Sequence, residues 1–177
     1  MTETIIKLAD LPKKMVPPAL PPFVLSEEER HDIEHALHHY PDSRAASIDA
    51  LKAVQKHRGY VSDEAIPEIA KAINISAADL DGVATFYNLI FRQPVGRNVI
   101  KVCDSISCHL TGYDEVREAF QKELGIKLGQ TTADDRFTLL PICCLGACDR
   151  GPVLMINDDL HCPVEPEQVK QLLGQYA

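Results

Sequence analysis

The 177-residue chain predicts an α+β fold, an N-terminal helical bundle followed by a small β-α-β-β-β-α unit. Three observations predict it. Apolar residues recur at helical spacing behind serine caps from Ser26 to about residue 90. Around Pro94-Val95-Gly96 the period changes, and short β-branched or apolar runs take over. All six cysteines lie beyond residue 102, so any chemistry carried by sulfur belongs to the second part.

Residues 1–25 carry Pro12, Pro17, Pro18, Pro21 and Pro22 with little periodicity. Prolines at that density exclude helix and predict an extended arm. Ser26-Glu27-Glu28-Glu29 is a capping box: the hydroxyl accepts from an orphan amide and the glutamate reaches back. Ile33, Ala36, Leu37 and Tyr40 then trace one face of a first helix, which Pro41 ends. A second helix is expected from Ser43, with Ile48, Leu51 and Val54 inward and Gly59 as its stop. Ser62 and Ser76 read as two further caps, ahead of Ile66, Ile69 and Ile73 and of Leu80 and Val83. His31 and His35 stand one turn apart, a spacing that can bind zinc. The sequence offers no acid or cysteine that completes such a site, and the face reads as solvated.

In the second part Val99-Ile100-Lys101-Val102 is a β-branched strand running straight into Cys103. Tyr113, Val116, Phe120 and Leu124 follow at helical spacing, closed by Gly125. Phe137 to Leu140 and Val153 to Ile156 read as two more strands, and Leu160-His161-Cys162 as an edge strand. Pro166 suits the first turn of a final helix with Val169, Leu172, Leu173 and Tyr176 inward. This order is that of a thioredoxin-like unit. The expected division is an arm over 1–25, a bundle over 26–92 and a thioredoxin-like domain over 93–177.

Composition excludes several classes. A formal net charge of −8 argues against nucleic-acid binding, which uses basic clusters to neutralise phosphates. No export signal opens the chain, and its longest apolar stretch, Val83 to Phe91, contains Thr85, Tyr87 and Asn88. The expectation is a soluble, unsecreted protein with no membrane insertion of its own. In a reducing compartment clustered cysteines bind metal or do redox work more often than they form disulfides. No glycine fingerprint for a dinucleotide is present.

The cysteines fall in two groups. Cys103 and Cys108 enclose Asp104-Ser105-Ile106-Ser107; Cys143-Cys144-Leu145-Gly146-Ala147-Cys148 follows 35 residues after Cys108. Each group follows a strand, which predicts two loops presenting sulfurs to one point if those strands are neighbours. Structural zinc favours two-residue gaps between paired cysteines. Gaps of four and three residues suit a [2Fe–2S] cluster, which takes two thiolates per iron. A thiol-exchange dithiol would need the two-residue gap that neither pair has, and a Rieske-type centre would need two histidine ligands. Small Gly146, Ala147 and Gly151 leave room for backbone amides near sulfur. Asp104 and Asp149, partly offset by Arg150, favour a low potential. Spacing leaves Cys143 and Cys144 as alternatives, and Cys162 reads as a packed thiol.

At these residues the chain resembles the [2Fe–2S] subunit of the NADH-oxidising module of bacterial NADH:quinone oxidoreductase, respiratory complex I. The markers are Thr85-Phe86-Tyr87, Pro94-Val95-Gly96, Val102 through Cys108, and Cys144-Leu145-Gly146-Ala147-Cys148 with Gly151-Pro152. The similarity spans nearly everything from Ser26 to Tyr176. It implies one [2Fe–2S] cluster on Cys103, Cys108, Cys144 and Cys148, and leaves Cys143 aside. It also implies an electron-transfer subunit with no substrate site of its own, docked on an FMN- and NADH-binding flavoprotein subunit among other peripheral-arm subunits. The implied place is cytoplasmic, on the cytoplasmic side of the inner membrane. One departure is Glu165 before Pro166, where the family often carries a capping threonine.

Three other readings share parts of the pattern. The equivalent diaphorase subunit of an NAD-linked hydrogenase or formate dehydrogenase carries the same motifs. A structural zinc-binding module would use the same thiolates without iron. A free-standing ferredoxin would hold the cluster without a flavoprotein.

Overall fold

A computed structural model describes residues 22–176. The extended arm expected over residues 1–25 lies outside the described residues, except for its last four. Of these, Leu25 is buried, and the Phe23 ring lies 4.0 Å from the Arg58 guanidinium.

The first half is helical. Helix α1 spans Glu27–Leu37 behind the expected capping box, with the Glu29 N–H on Ser26 Oγ and the Ser26 N–H on Glu29 Oε2. It stops earlier than Pro41 requires. Tyr40 lies outside it, exposed, with its hydroxyl on Asp49. Helix α2 spans Ser47–Arg58 and not from Ser43, because the Asp42 carboxylate takes the Ala45 N–H and holds that stretch as a turn. Gly59 ends α2 in the left-handed region, as expected. Helix α3 spans Ala65–Ala72 with no side-chain cap; the Ser62 carbonyl, not its hydroxyl, takes the Ala65 N–H. Helix α4 spans Ala77–Phe86 and is capped by Ser76, whose Oγ accepts from the Asp79 N–H. Ile33, Leu51, Val54, Ile69, Ile73 and Leu80 form the core of this half.

The second half is built on a five-stranded sheet in the order β2-β3-β1-β4-β5. Strand β1 spans Asn98–Cys103, β2 Gln130–Thr131, β3 Phe137–Ile142, β4 Leu154–Ile156 and β5 Asp159–His161. Strands β1 and β3 run parallel, and the other neighbours are antiparallel. Short helix α5 spans Ile106–Leu110, α6 Tyr113–Leu124 and α7 Val169–Gly174. Ile100, Val102, Phe137, Leu139 and Leu154 pack with Val116 and Phe120 of α6 and Leu172 of α7 into a second, separate core.

The thioredoxin-like order therefore gains two short elements that periodicity did not show, β2 and α5. Strand β2 is too short for alternation to register; it pairs Thr131 with Thr138, whose hydroxyls lie 2.8 Å apart. The 3-10 turn Pro166–Gln168 precedes α7 and has a reciprocal cap. The Glu165 carbonyl accepts from the Gln168 N–H at 3.0 Å, and Gln168 Oε1 takes the Glu165 N–H at 2.9 Å. Gln168 thus closes the turn from its far side, where the family often carries a capping threonine at 165.

Candidate metal centre

Pairing of β1 with β3 decides where the sulfurs meet. The register sets Cys103 opposite Ile142 at the ends of two parallel strands, so both cysteine segments leave the sheet side by side. Backbone bonds hold the junction: the Asp104 N–H donates to the Ile142 carbonyl at 2.9 Å and the Cys103 N–H to the Val153 carbonyl at 3.1 Å. One expectation needs correction. Cys108 does not lie on a loop but in α5, whose single turn points its thiol inward.

The centre is half sunk. Cys103 and Cys108 are buried, whereas Cys144 and Cys148 are exposed. Cys144 Sγ and Cys148 Sγ stand 3.7 Å apart. The Gly146 N–H donates to Cys144 Sγ at 3.4 Å, from a backbone at φ +79° that glycine adopts without a Cβ clash. None of the six cysteines is joined in a disulfide.

The thiols perturb one another as a group. Burial, followed by the neighbouring Cys103 thiol, pushes Cys108 up to about 11. The Gly146 N–H, then the Cys148 thiol, holds Cys144 below the usual thiol range. Cys148 is raised, first by its contact with Cys144. Ser105 and Ser107 also favour the thiolate, the first at Cys144 and the second at Cys148. The spacing of the cysteines alone does not show these hydroxyls; the alternate serines in Cys-Asp-Ser-Ile-Ser-Cys do.

Other candidates lie apart or face elsewhere. The Cys143 side chain is exposed, and it is its carbonyl that faces the centre, accepting from the Cys103 thiol at 3.6 Å. Cys162 packs against the second core. His109 packs against the Tyr113 ring at a tilt, and His161 bonds the Tyr176 hydroxyl. In the helical half His31 lies 3.8 Å from Asp32, which also meets His57 at 3.0 Å, so one acid does stand beside that histidine. His35 pairs instead with the His39 ring, at 4.6 Å between centroids. Among the described residues no three His, Cys, Asp or Glu side chains close on a single ion-sized point.

The donor set fits an iron–sulfur group. Two thiolates on one tetrahedral metal, with metal–sulfur bonds of about 2.3 Å, stand roughly 3.7 Å apart, the separation of Cys144 and Cys148. A second, buried pair beside them supplies two further sulfurs, and thiolate sulfur is the ligand of [2Fe–2S] clusters.

Comparison with known proteins agrees. Residues 33–177 match the family described as thioredoxin-like [2Fe–2S] ferredoxin. The chain is 62% identical over 155 residues to an NADH-quinone oxidoreductase subunit of Pseudomonas aeruginosa, covering 88% of this chain and 93% of that protein. It is 58% identical over 154 residues to the subunit of the same name from Escherichia coli K12, covering 87% and 93%. Among solved structures, an NAD+-reducing [NiFe]-hydrogenase is similar in fold, with a TM-score of 0.60 and 24% identity. That match covers 71% of this chain and 22% of the hydrogenase chain. A pair of parallel strands ending in two cysteine segments and more than half the residues in common with these subunits lead to one conclusion: the chain belongs to the thioredoxin-like [2Fe–2S] ferredoxin family, in the branch formed by these NADH-quinone oxidoreductase subunits.

Proposed function

We propose that this chain is the electron-transfer subunit of an NADH-quinone oxidoreductase, holding one [2Fe–2S] cluster on Cys103, Cys108, Cys144 and Cys148. The observation that carries the reading is the register of β1 against β3, which sets Cys103 beside the start of the second cysteine segment. When bound, such a cluster accepts and returns a single electron. The chain's own residues supply the rest. Cys103 and Cys108 keep one side dry, and Cys144 and Cys148 leave the other at the surface, where a redox partner can approach. The Gly146 N–H sets a positive dipole end against the Cys144 sulfur, which favours added negative charge.

The partner in this reading is a subunit that binds FMN and NADH, so that NADH oxidation belongs to the assembly. An apolar surface beside the thiols supports a protein partner: Ile106 and Leu110 of α5, one helical turn apart, are exposed by 72% and 80%. No helix of the described residues is long and apolar enough to cross a membrane. We place the chain at the cytoplasmic face of the inner membrane, attached through the other peripheral-arm subunits. The two separate cores support the division between a bundle over 26–92 and a cluster domain over 93–177; an arm over 1–25 is proposed from its prolines alone, and its residues Phe23 and Leu25 pack with the first core.

Anaerobic purification from native membranes tests this. The expected result is two irons and two acid-labile sulfides per chain, a two-iron EPR signal on reduction, and co-purification with a flavoprotein. Zinc without sulfide would overturn the cluster, and isolation only as a free monomer would overturn the subunit reading.

A further inference from the structure

We propose that Gly151 is a positioning residue of the cysteine centre: having no side chain, it lets the segment after Cys148 lie against α5 and sets how closely the two cysteine segments approach. The inference rests on the reading of these cysteines as one site. Thr111 is the third residue after Cys108 and Gly151 the third after Cys148. Their contact therefore joins the two segments at the same distance beyond the last cysteine of each.

The demand for glycine at this position is steric. Its backbone, at φ −68° and ψ 157°, suits any residue. A Cβ added there would stand 2.5 Å from Thr111 Oγ1, and 3.6 Å from both Thr111 Cβ and Cys108 Sγ. Favourable heavy-atom contact begins near 3.5 Å, so the first of these distances cannot stand. Thr111 is not free to turn away, because its hydroxyl donates to the Ser107 carbonyl at 3.0 Å and the Cys108 carbonyl at 3.3 Å. Either those bonds are lost or the two segments separate. The next residues along lie close as well, since a Cβ on Gly112 would stand 3.5 Å from Pro152 Cγ. Gly146 offers a contrast within the same motif. Its φ is +79°, and nothing lies within 4 Å of an added Cβ, so its requirement is conformational.

The test is a cycle of full-length chains: wild type, G151A, T111A and T111A/G151A. Two quantities are read, the rate at which Cys108 is alkylated in the metal-stripped chain and the EPR line shape with the rate of iron release after reconstitution. Losing contacts of this size changes a local opening equilibrium roughly fivefold. G151A is expected to speed Cys108 labelling and iron release by about that factor and to shift the EPR line shape. Removing Oγ1 in T111A/G151A should restore most of both, because the remaining Cβ contact of 3.6 Å is an ordinary one. G151A matching wild type, or the double variant faring no better than G151A, overturns the proposal. If G151A does not fold, a folded double variant with wild-type labelling supports it and a misfolded one overturns it. The labelling arm needs no cluster, so a failure of the cluster reading is seen separately, in the iron and sulfide content of the wild type.

Discussion

Cys103 and Ile142 are direct partners at the last register position of two parallel strands. Cys143 lies forty positions after Cys103, yet the strand pairing brings the Cys143 carbonyl to within 3.6 Å of the Cys103 sulfur. The adjacent cysteines 143 and 144 thereby present different groups. Cys143 meets the centre with its backbone, and Cys144 meets it with its sulfur.

Serine substitutions separate the two. Cys144→Ser is expected to abolish the two-iron EPR signal, because it removes a sulfur that Gly146 and Cys148 both contact. Cys143→Ser is expected to leave the signal in place, since the carbonyl it offers is unchanged. The opposite pattern would show that Cys143 is the ligand.

Glu29 and Arg58 join α1 to α2 through a carboxylate that is 1% exposed. Burial raises the Glu29 carboxyl, but hydrogen bonds from Arg58 and the Ser26 N–H outweigh it and hold the group below its ordinary 4.5. A carboxylate with a depressed folded value stabilises the fold above the unfolded value and loses that contribution as pH falls through the folded one. Arg58→Ala should cost about 2 kcal/mol at neutral pH, discounted for the partial exposure of Arg58. Glu29→Gln should flatten the fall in stability below about pH 4.5. Urea unfolding across that range reads both, and an R58A midpoint equal to wild type would refute the first.

Tyr176 closes the other end of the chain. Its hydroxyl donates to Asp159 at 2.8 Å and meets His161 Nε2 at 2.9 Å, tying the residues after α7 to edge strand β5. Burial, then Asp159, pushes the phenol up from 10.0 to about 12. The raised value means the contribution is complete below pH 10 and lost as pH rises toward 12. Tyr176→Phe should lower stability by about 1 kcal/mol at neutral pH. It should also leave the variant with a shallower alkaline decline, measured by thermal unfolding from pH 8 upward.

Gly96 sits where the chain passes from the helical half to the sheet. A Cβ there would lie 2.9 Å from the backbone N and C of Phe137, and the Gly96 N–H donates to Thr138 Oγ1 at 2.6 Å. Backbone cannot swing aside as a side chain can. Gly96→Ala should therefore destabilise by about 2 kcal/mol, seen as a lower melting temperature with an unchanged fold by circular dichroism.

Much of this architecture was legible from residue patterns alone. The Ser26 and Ser76 caps, the Gly59 and Gly125 stops and the 3.6-residue period of Tyr113 to Leu124 are local signals. They act within a few residues, and the structure follows them. Where a polar side chain or a neighbouring strand intervened, or an element was a single turn, the pattern misled. Asp42 delays α2 by taking an amide, β2 exists only because β3 lies beside it, and α5 is a single turn too brief for periodicity to register.

The cysteine centre divides the same way. Two groups of thiols with four- and three-residue gaps, all in one half of an acidic chain, determined by themselves that sulfur would carry the chemistry and that two loosely spaced pairs would share it. Ligand type is a property of composition and spacing, and no fold is needed to read it. The structure alone decided that Cys103 and Cys108 are sunk while Cys144 and Cys148 are open, and that Gly151 must yield its side-chain space to Thr111. Burial and close approach depend on which strands pair and in which register, a long-range outcome that neighbouring residues do not encode.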